Sequence, residues 1–424
     1  MWRHRARARK DWRKTVVEQG LVFPVTPLPD GREIPYWNEE AWYEFTVDEV
    51  DMLEAATEEL WAMCLQAVSH MATTMTDERL GLAPGSLEVV RRSIARKDPA
   101  LYARFDLVYG ADGSVKMLEI NGDTPTGLVE TGIIQWKWME EVMGEMDQWN
   151  SLHDRLVAAW EKLLASGHFS GNELHFLYDL GEEDSYDGGE MEMTCYYLMD
   201  TAIQAGWATL AHPMAEVGWN PETRDYRDAN DYPIRNAFKL YAWEEMLREP
   251  FGRYIVEATE VNPTKWIEPA WKVLLSTKAL LPVLWELFPN HRLLLPAYFD
   301  SPHDLENWVA KPLHGREGES IRIHLEDMLE DVVMPGDYGT EGWVYQQYAE
   351  LPSFEGNRVV LGSWIVDGES AGVLVRESDG MVTDYFSRVS PHVISDGLAP
   401  SPDQVAQWLS ERVGPDLPTL PTES

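Results

Sequence analysis

The sequence predicts an α+β chain, and three observations carry that reading. Long segments with apolar residues at helical spacing stand beside short alternating segments of strand character, and no repeating βαβ order links them. Two alternating segments, residues 101–121 and 359–378, each break at a Gly-containing turn and read as antiparallel strand pairs. The chain has 424 residues, of which 44% are apolar, with 19 Trp among them. That is enough for two or three packed subdomains around a large buried core.

Taken in order, the chain opens on MWRHRARARKDWRK, a basic run without the apolar stretch of a secretory leader. Residues 1–11 are therefore expected to be a solvated basic arm. Thr46 and Glu49 have the spacing of a capping box, followed by apolar residues at helical spacing, which predicts a long helix from residue 47. The first strand pair turns at Ala111-Asp112-Gly113-Ser114. SLHDRLVAAWEKLLASG reads as a helix closed by Gly167. ELHFLYDL reads as a buried strand that runs into the acidic loop GEEDSYDGGE, then a helix, then the strand ATLAHP. The segment EPAWKVLLSTKALLPVLWELFPNH is helical in pattern, with a Pro at 282. WVAKPLHGREGESIRIHL reads as strand, Gly-containing loop and strand. EGWVYQQYAEL is a further strand, and residues 395–424, with several Pro, read as a tail.

Net charge is −37, which repels nucleic acid backbones and excludes that partner class. The same charge serves solubility or attracts a cationic substrate such as a polyamine. No apolar run is long enough to cross a membrane. Cys64 and Cys195 stand in no metal-like or CxxC spacing, and Cys64 falls in an apolar helical pattern that makes it a core residue. A cytoplasmic protein in a reducing compartment is the expectation.

The candidate chemistry starts from KMLEINGDTPTG. Residues i and i+2 of a strand share a face, so Arg104 and Asp106 share one face of the first strand, and Glu119 and Asn121 one face of the second. Paired across the turn, they could gather three oxygen-bearing side chains and a guanidinium at one edge. Hard cations such as Mg²⁺ take oxygen ligands of this kind, and the Arg fork suits a phosphate or a carboxylate. The same pattern also fits a hairpin face with its charges in water. The NGDTPTG turn, with Thr124 inside it, offers backbone N–H groups and hydroxyls to an anion. Neither GxxxxGK[ST] nor GxGxxG occurs, so nucleotide binding would need another device. Lys311 at the end of a strand, and a loop bracketed by Gly315 and Gly318 with Arg316 inside it, could fold over a triphosphate. Lys278 is a second cation. Edge-strand protection and a snorkelling helix lysine are the plainer roles for these two lysines.

Together the stretches RFD, EINGDTPTG, EPAWKVLLSTKALLPVLWELFPNH, VAKPLHGREGES, VYQQYAELP and GSWIVDGESAGVLVRE, matching in order, resemble the glutathionylspermidine synthase family. The resemblance runs over residues 12–394 and implies an ATP-grasp fold with a pre-ATP-grasp-like subdomain and a Gly-rich lid, the lid and nucleotide part lying at about 265–350. It implies Mg²⁺ on Asp106, Glu119 and Asn121, and ATP on Lys278, Lys311, the Gly315–Ser320 loop and the residues from Gln346 to Tyr348. Arg104 and Arg376 would be the catalytic cations. Glu182 and Glu183 resemble a stretch near the amine site, with Thr124 on the substrate side. The implied activity is ATP-dependent ligation of a small-molecule, peptide-like acid to an amine through an acyl phosphate, without an amidase domain. A non-catalytic ATP- or polyamine-binding relative and a peptide ligase of glutathione synthetase type are the alternatives.

Overall fold

The computed structural model describes residues 1–28, 30–144, 146–180, 189–261 and 263–395. The capping box forms as the sequence predicts: Thr46 Oγ1 accepts from Glu49 N (3.2 Å), and the Glu49 carboxylate accepts from Thr46 N (3.0 Å). These bonds satisfy two donors that a helix start leaves open. The helix that follows, Val47–Thr74, buries Leu53, Leu60, Cys64 and Met71 along one face. It packs beneath an antiparallel sheet, where Thr57 Oγ1 lies 2.6 Å from Ser363 Oγ.

That sheet positions the site. Its order is Arg388–Ser390, Glu369–Ser378 (the LVRE strand), Asn357–Val366 (the WIV strand), Tyr102–Tyr109 (the RFD strand) and Val115–Asn121 (the EIN strand). Both strand pairs read from the sequence are present. Asp367 and Gly368, at φ +50° and +87°, make the tight turn between the WIV and LVRE strands; positive φ at both central residues is one of the turn forms whose twist matches that of the flanking strands. The register of the RFD and EIN strands sets Arg104 opposite Asn121 and Asp106 opposite Glu119, then shifts so that Leu107 faces Met117. Leu118 is the extra residue of that bulge.

A second antiparallel sheet runs Ala297–Phe299, Trp343–Gln347 (the YQQ strand), Trp308–Pro312 (the AKP strand), Arg322–His324 and Val332–Val333. A third sheet of four strands is parallel throughout: Lys265–Ile267, Asn236–Leu240, Glu173–Tyr178 and Ala208–Pro213. The helix Glu190–Gln204 supplies the crossover between the last two, because parallel neighbours cannot be joined by a hairpin. Trp160, Phe176 and Phe238 pack together beneath it in a second core, Trp160 edge to face on Phe238 and the other two pairs tilted. Both cysteines are buried free thiols. No helix among the described residues is long and apolar enough to cross a membrane.

The basic N-terminus departs from expectation. It is not a solvated arm: Trp2–Arg5 pairs antiparallel with Ala41–Thr46. Arg3 Nε lies 2.5 Å from the buried Glu377, and Arg9 Nη2 lies 2.5 Å from the buried Glu39. A buried carboxylate without a counter-charge is strongly unfavourable, and these arginines supply it. Of residues 395–424, read as a tail, Ser395 ends the strand His392–Ser395, and 396–424 lie outside the described residues.

Candidate active site

Cross-strand pairing brings the first cluster together. Arg104 Nε donates to Asp106 Oδ1 (3.1 Å), Arg376 Nη2 from the LVRE strand donates to Asp106 Oδ2, and Asn121 Nδ2 approaches the same oxygen at 3.4 Å. Arg104 Nη1 also donates to Thr126 O (2.6 Å), which ties the GDTPTG turn to the sheet. Gly362 faces Asp106 on the neighbouring strand, and a Cβ there would stand 2.9 Å from Arg104 Cδ. Its absence leaves the guanidinium room to lie across the sheet. Gly122 is likewise required by a close approach, since a Cβ would stand 2.2 Å from Leu275 Cβ. Burial pushes the Asp106 carboxyl up, but Arg376 and Arg104 outweigh it and hold the group below the usual carboxylate range.

The second sheet delivers the lysines. Lys311, on the AKP strand and 5% exposed, donates to Leu118 O (2.9 Å), and Gln346 Nε2, on the YQQ strand, donates to Met117 O (3.3 Å). Both acceptors belong to the bulged part of the EIN strand, so the bulge is where the two sheets are bolted together. Lys278 Nζ donates to Gly315 O (3.1 Å) and lies 3.5 Å from Glu119 Oε2. Burial lowers the Lys311 ammonium to about 8, with Glu119 pulling the other way. Burial raises the Glu119 carboxyl, and Lys278 and Lys311 reverse that shift. The Gly315–Ser320 loop turns through positive φ at Glu317, Gly318 and Ser320. A Cβ at Gly318 would stand 2.4 Å from Val382 Cγ1, so the loop packs closely on residues 381–385. Arg316 Nη2 pairs with Glu245 (3.2 Å).

Every predicted site residue that the structure describes lines one cleft of about 1010 Å³, including Thr124 and Tyr348. Glu182 and Glu183 lie outside the described residues. The walls also hold carboxylates that bracket that segment in sequence, Asp179 before it and Glu190 after it, together with Glu244. Glu244 Oε2 is buried without a hydrogen-bond partner among the described residues. Sequence reasoning missed Asp123. Its Oδ1 lies 2.6 Å from Lys239 Nζ, its Oδ2 accepts from Trp243 N (2.7 Å), and both charged groups are buried. The signal was available: Lys239 interrupts the apolar strand NAFKL, and a lysine inside a fully buried strand demands a carboxylate.

Asp106, Glu119 and Asn121 fit a hard divalent cation by donor chemistry. Each offers oxygen, all three line the cleft, and among the described residues the ion-pair contact of Glu119 is the long one to Lys278, which leaves its carboxylate oxygens free to accept a ligand.

The cleft thus gathers oxygen-bearing side chains ringed by cations on a mixed α+β frame. Comparison with known proteins then places the chain. A family model described as glutathionylspermidine synthase preATP-grasp matches residues 3–395, and the chain belongs to that family. It is 37% identical over 395 residues to a Haemophilus influenzae protein named provisionally as an acid–amine ligase, covering 91% of this chain and 97% of that one. It is 26% identical over 325 residues to the bifunctional glutathionylspermidine synthetase/amidase of Escherichia coli, covering 70% of this chain and 50% of that protein. Among solved structures, a glutathione synthetase-like effector from Globodera pallida superposes with a TM-score of 0.53 at 11% identity, over 90% of this chain and 97% of that one. That last likeness is one of fold.

Proposed function

We propose that the chain is an ATP-dependent ligase that joins a small-molecule carboxylate to an amine. The observation that carries this reading is the convergence of Arg104, Arg376, Lys278 and Lys311, from separate strands and a loop, on Asp106 and Glu119 in one cleft. Family membership supports the same reading.

In this reading the fold is an ATP-grasp fold. The YQQ strand and Tyr348 hold the adenine end of ATP. Lys311, Lys278 and the Gly315–Ser320 loop hold the phosphates, the loop acting as the lid. Asp106, Glu119 and Asn121 would hold Mg²⁺, which supplies charge neutralisation for the phosphates when bound. Arg104 and Arg376 orient the acid's carboxylate against the γ-phosphorus. A carboxylate oxygen forms the bond to phosphorus as the bond to ADP breaks, giving an acyl phosphate. The amine nitrogen then attacks the acyl carbon, the C–O bond to phosphate breaks, and the nitrogen loses a proton as the amide forms. The lid loop keeps water from the acyl phosphate during the second step. Asp179, Glu190 and Glu244 give the cleft a negative end suited to a cationic amine.

The test is incubation of the protein with ATP, Mg²⁺ and pools of carboxylates and amines, reading ADP, phosphate and product mass together. The reading expects one ADP and one phosphate per amide formed. ATP binding by calorimetry without ADP formation from any pool would establish a non-catalytic binder instead.

A further inference from the structure

A cluster outside the cleft has no part in this chemistry. His175 lies on Glu173–Tyr178, His212 on the neighbouring edge strand Ala208–Pro213, and Asp228 just beyond the short hairpin of Gly218–Asn220 and Asp225–Arg227. The parallel register pairs His175 with Leu210 and Leu177 with His212, so the two histidines are diagonal neighbours on one face. Their rings stack at 5.4 Å and 24°. One ring nitrogen of each and a carboxylate oxygen of Asp228 all lie within 4.8 Å of one another. None of the three lines the cleft.

Protein groups do not account for these side chains. His175 is 1% exposed, yet among the described residues neither of its ring nitrogens has a hydrogen-bond partner of good geometry, and His212 Nε2 is also buried without one. The exposed Glu173 carboxylate comes within 3.4 Å of His175 Nε2 without hydrogen-bond alignment. A neutral imidazole carries one donor and one acceptor, and burying both unused is unfavourable. Asp228 is 8% exposed, and its Oδ1 accepts from Asn230 N and Tyr232 N, both at 2.9 Å. Those bonds fix the carboxylate and leave Oδ2 without a donor among the described residues.

We propose that His175, His212 and Asp228 form a binding site for a divalent transition ion, zinc above all, which clamps the segment after the hairpin onto the open edge of the parallel sheet. Two imidazoles and one carboxylate are donors that zinc takes in preference to magnesium or calcium, with water in the fourth position. Ligands about 2.0–2.1 Å from a tetrahedral zinc stand about 3.3–3.4 Å apart. Side-chain rotation of about an ångström therefore closes the site. The edge strand has an unpaired side that the clamped segment would help cover.

The experiment measures metal in the full-length protein. After dialysis against a weak chelator, zinc is counted by mass spectrometry, and the stripped protein is titrated with Zn²⁺ and with Co²⁺ as a visible probe. Expected are one zinc per chain, the visible absorption of four-coordinate cobalt, and a rise in melting temperature on zinc addition. Asp228→Asn keeps the acceptor for Asn230 and Tyr232, so its fold survives; it should lose at least tenfold in zinc affinity, as should His212→Gln, with the zinc-dependent thermal shift lost in both. Metal-free variant and metal-free wild type should melt alike. Wild-type protein that retains no zinc and shows no thermal shift overturns the site, as do variants that bind zinc as tightly as wild type. ATP turnover enters neither readout, so the outcome is independent of the ligase reading.

Discussion

Replacing Lys239 with Met removes one partner of a fully buried ion pair. Lys239 is 0% exposed and Asp123 is 1% exposed, and the ammonium lies 2.6 Å from Asp123 Oδ1. In Lys239→Met the carboxylate keeps only the Trp243 N–H at 2.7 Å. Breaking a buried pair from one side costs about 3–5 kcal/mol, because a charge stays behind in a medium that cannot solvate it. Removing both charges is different in kind: a buried pair replaced by neutral groups of similar volume is often close to neutral in stability. The double variant Asp123→Asn/Lys239→Met should therefore recover most of what either single variant loses. The assay is urea unfolding followed by Trp fluorescence for the wild type, both single variants and the double variant, closed as a cycle. The expected coupling is at least about 2 kcal/mol, well above the scatter of about 0.3–0.5 kcal/mol seen for independent sites. A Lys239→Met protein as stable as wild type, or a double variant no more stable than the single ones, would refute the reading of Asp123 and Lys239 as a coupled buried pair.

Glu119→Gln should abolish ATP turnover with an unchanged circular dichroism spectrum, because Glu119 stands at a strand end facing the cleft and not in a core; wild-type turnover would remove it from the site. Lys311→Ala should weaken ATP binding by about 1.5–3 kcal/mol, the worth of a hydrogen bond to a charged group, and unchanged affinity by calorimetry would count against the nucleotide assignment. For pH, His392 uses both ring nitrogens in its neutral form, accepting from Trp149 N (3.1 Å) and donating to Gln135 Oε1 (2.9 Å), and burial lowers its pKa to about 3. The unfolded chain takes up a proton below about 6.5 while the folded one stays neutral until about 3, so stability falls with pH across that window, by about 2 kcal/mol between pH 7 and 5; His392→Gln should flatten that slope in urea unfolding at several pH values. If the acidic end of the cleft receives a cationic amine, the KM of the amine should rise with salt far more than that of the acid, because screening shortens the Debye length to about 3 Å at 1 M; equal responses would leave the acidity without a substrate role.

What could be read from the sequence was what is encoded locally. Period-two alternation and a Gly-containing turn specified the RFD and EIN strands, and the side-chain rule for strands then set Arg104 and Asp106 opposite Asn121 and Glu119. The bulge at Leu118 has no local signal, and it decides where the second sheet attaches, through Lys311 to Leu118 O and Gln346 to Met117 O. Those contacts join residues about 190 to 230 positions apart. The N-terminal arginines were misread for the same reason. Their charge looked solvated because Glu377, the partner of Arg3, lies 374 positions away, and burial of that carboxylate appears only in the folded chain. The parallel sheet was obscured because two of its strands, Lys265–Ile267 and Asn236–Leu240, are too short to show a period.

The charge balance of the cleft argues for its ligand independently of any resemblance. Among the described residues, the carboxylates in ion-pair range of Arg104, Arg376 and Lys278 are those of Asp106 and Glu119, so with Lys311 the cluster carries a local surplus of positive charge inside a chain whose net charge is −37. Asp106 is the better neutralised of the two, with a guanidinium on each oxygen, whereas Lys311 has a backbone carbonyl as its hydrogen-bond acceptor. Burial of Lys311, only partly offset by Glu119, is what lowers its ammonium to about 8. That shift is a measure of unfavourable desolvation in the ligand-free protein. An anion placed among these cations reverses it, and a polyphosphate brings enough negative charge to balance the surplus and a divalent cation besides. Binding should therefore raise the Lys311 pKa and draw a proton from solvent near pH 8, so calorimetry in buffers of different ionisation enthalpy should register proton uptake in the wild type and none in Lys311→Met. An ATP-binding enthalpy that is the same in every buffer would show that the nucleotide phosphates do not sit against Lys311.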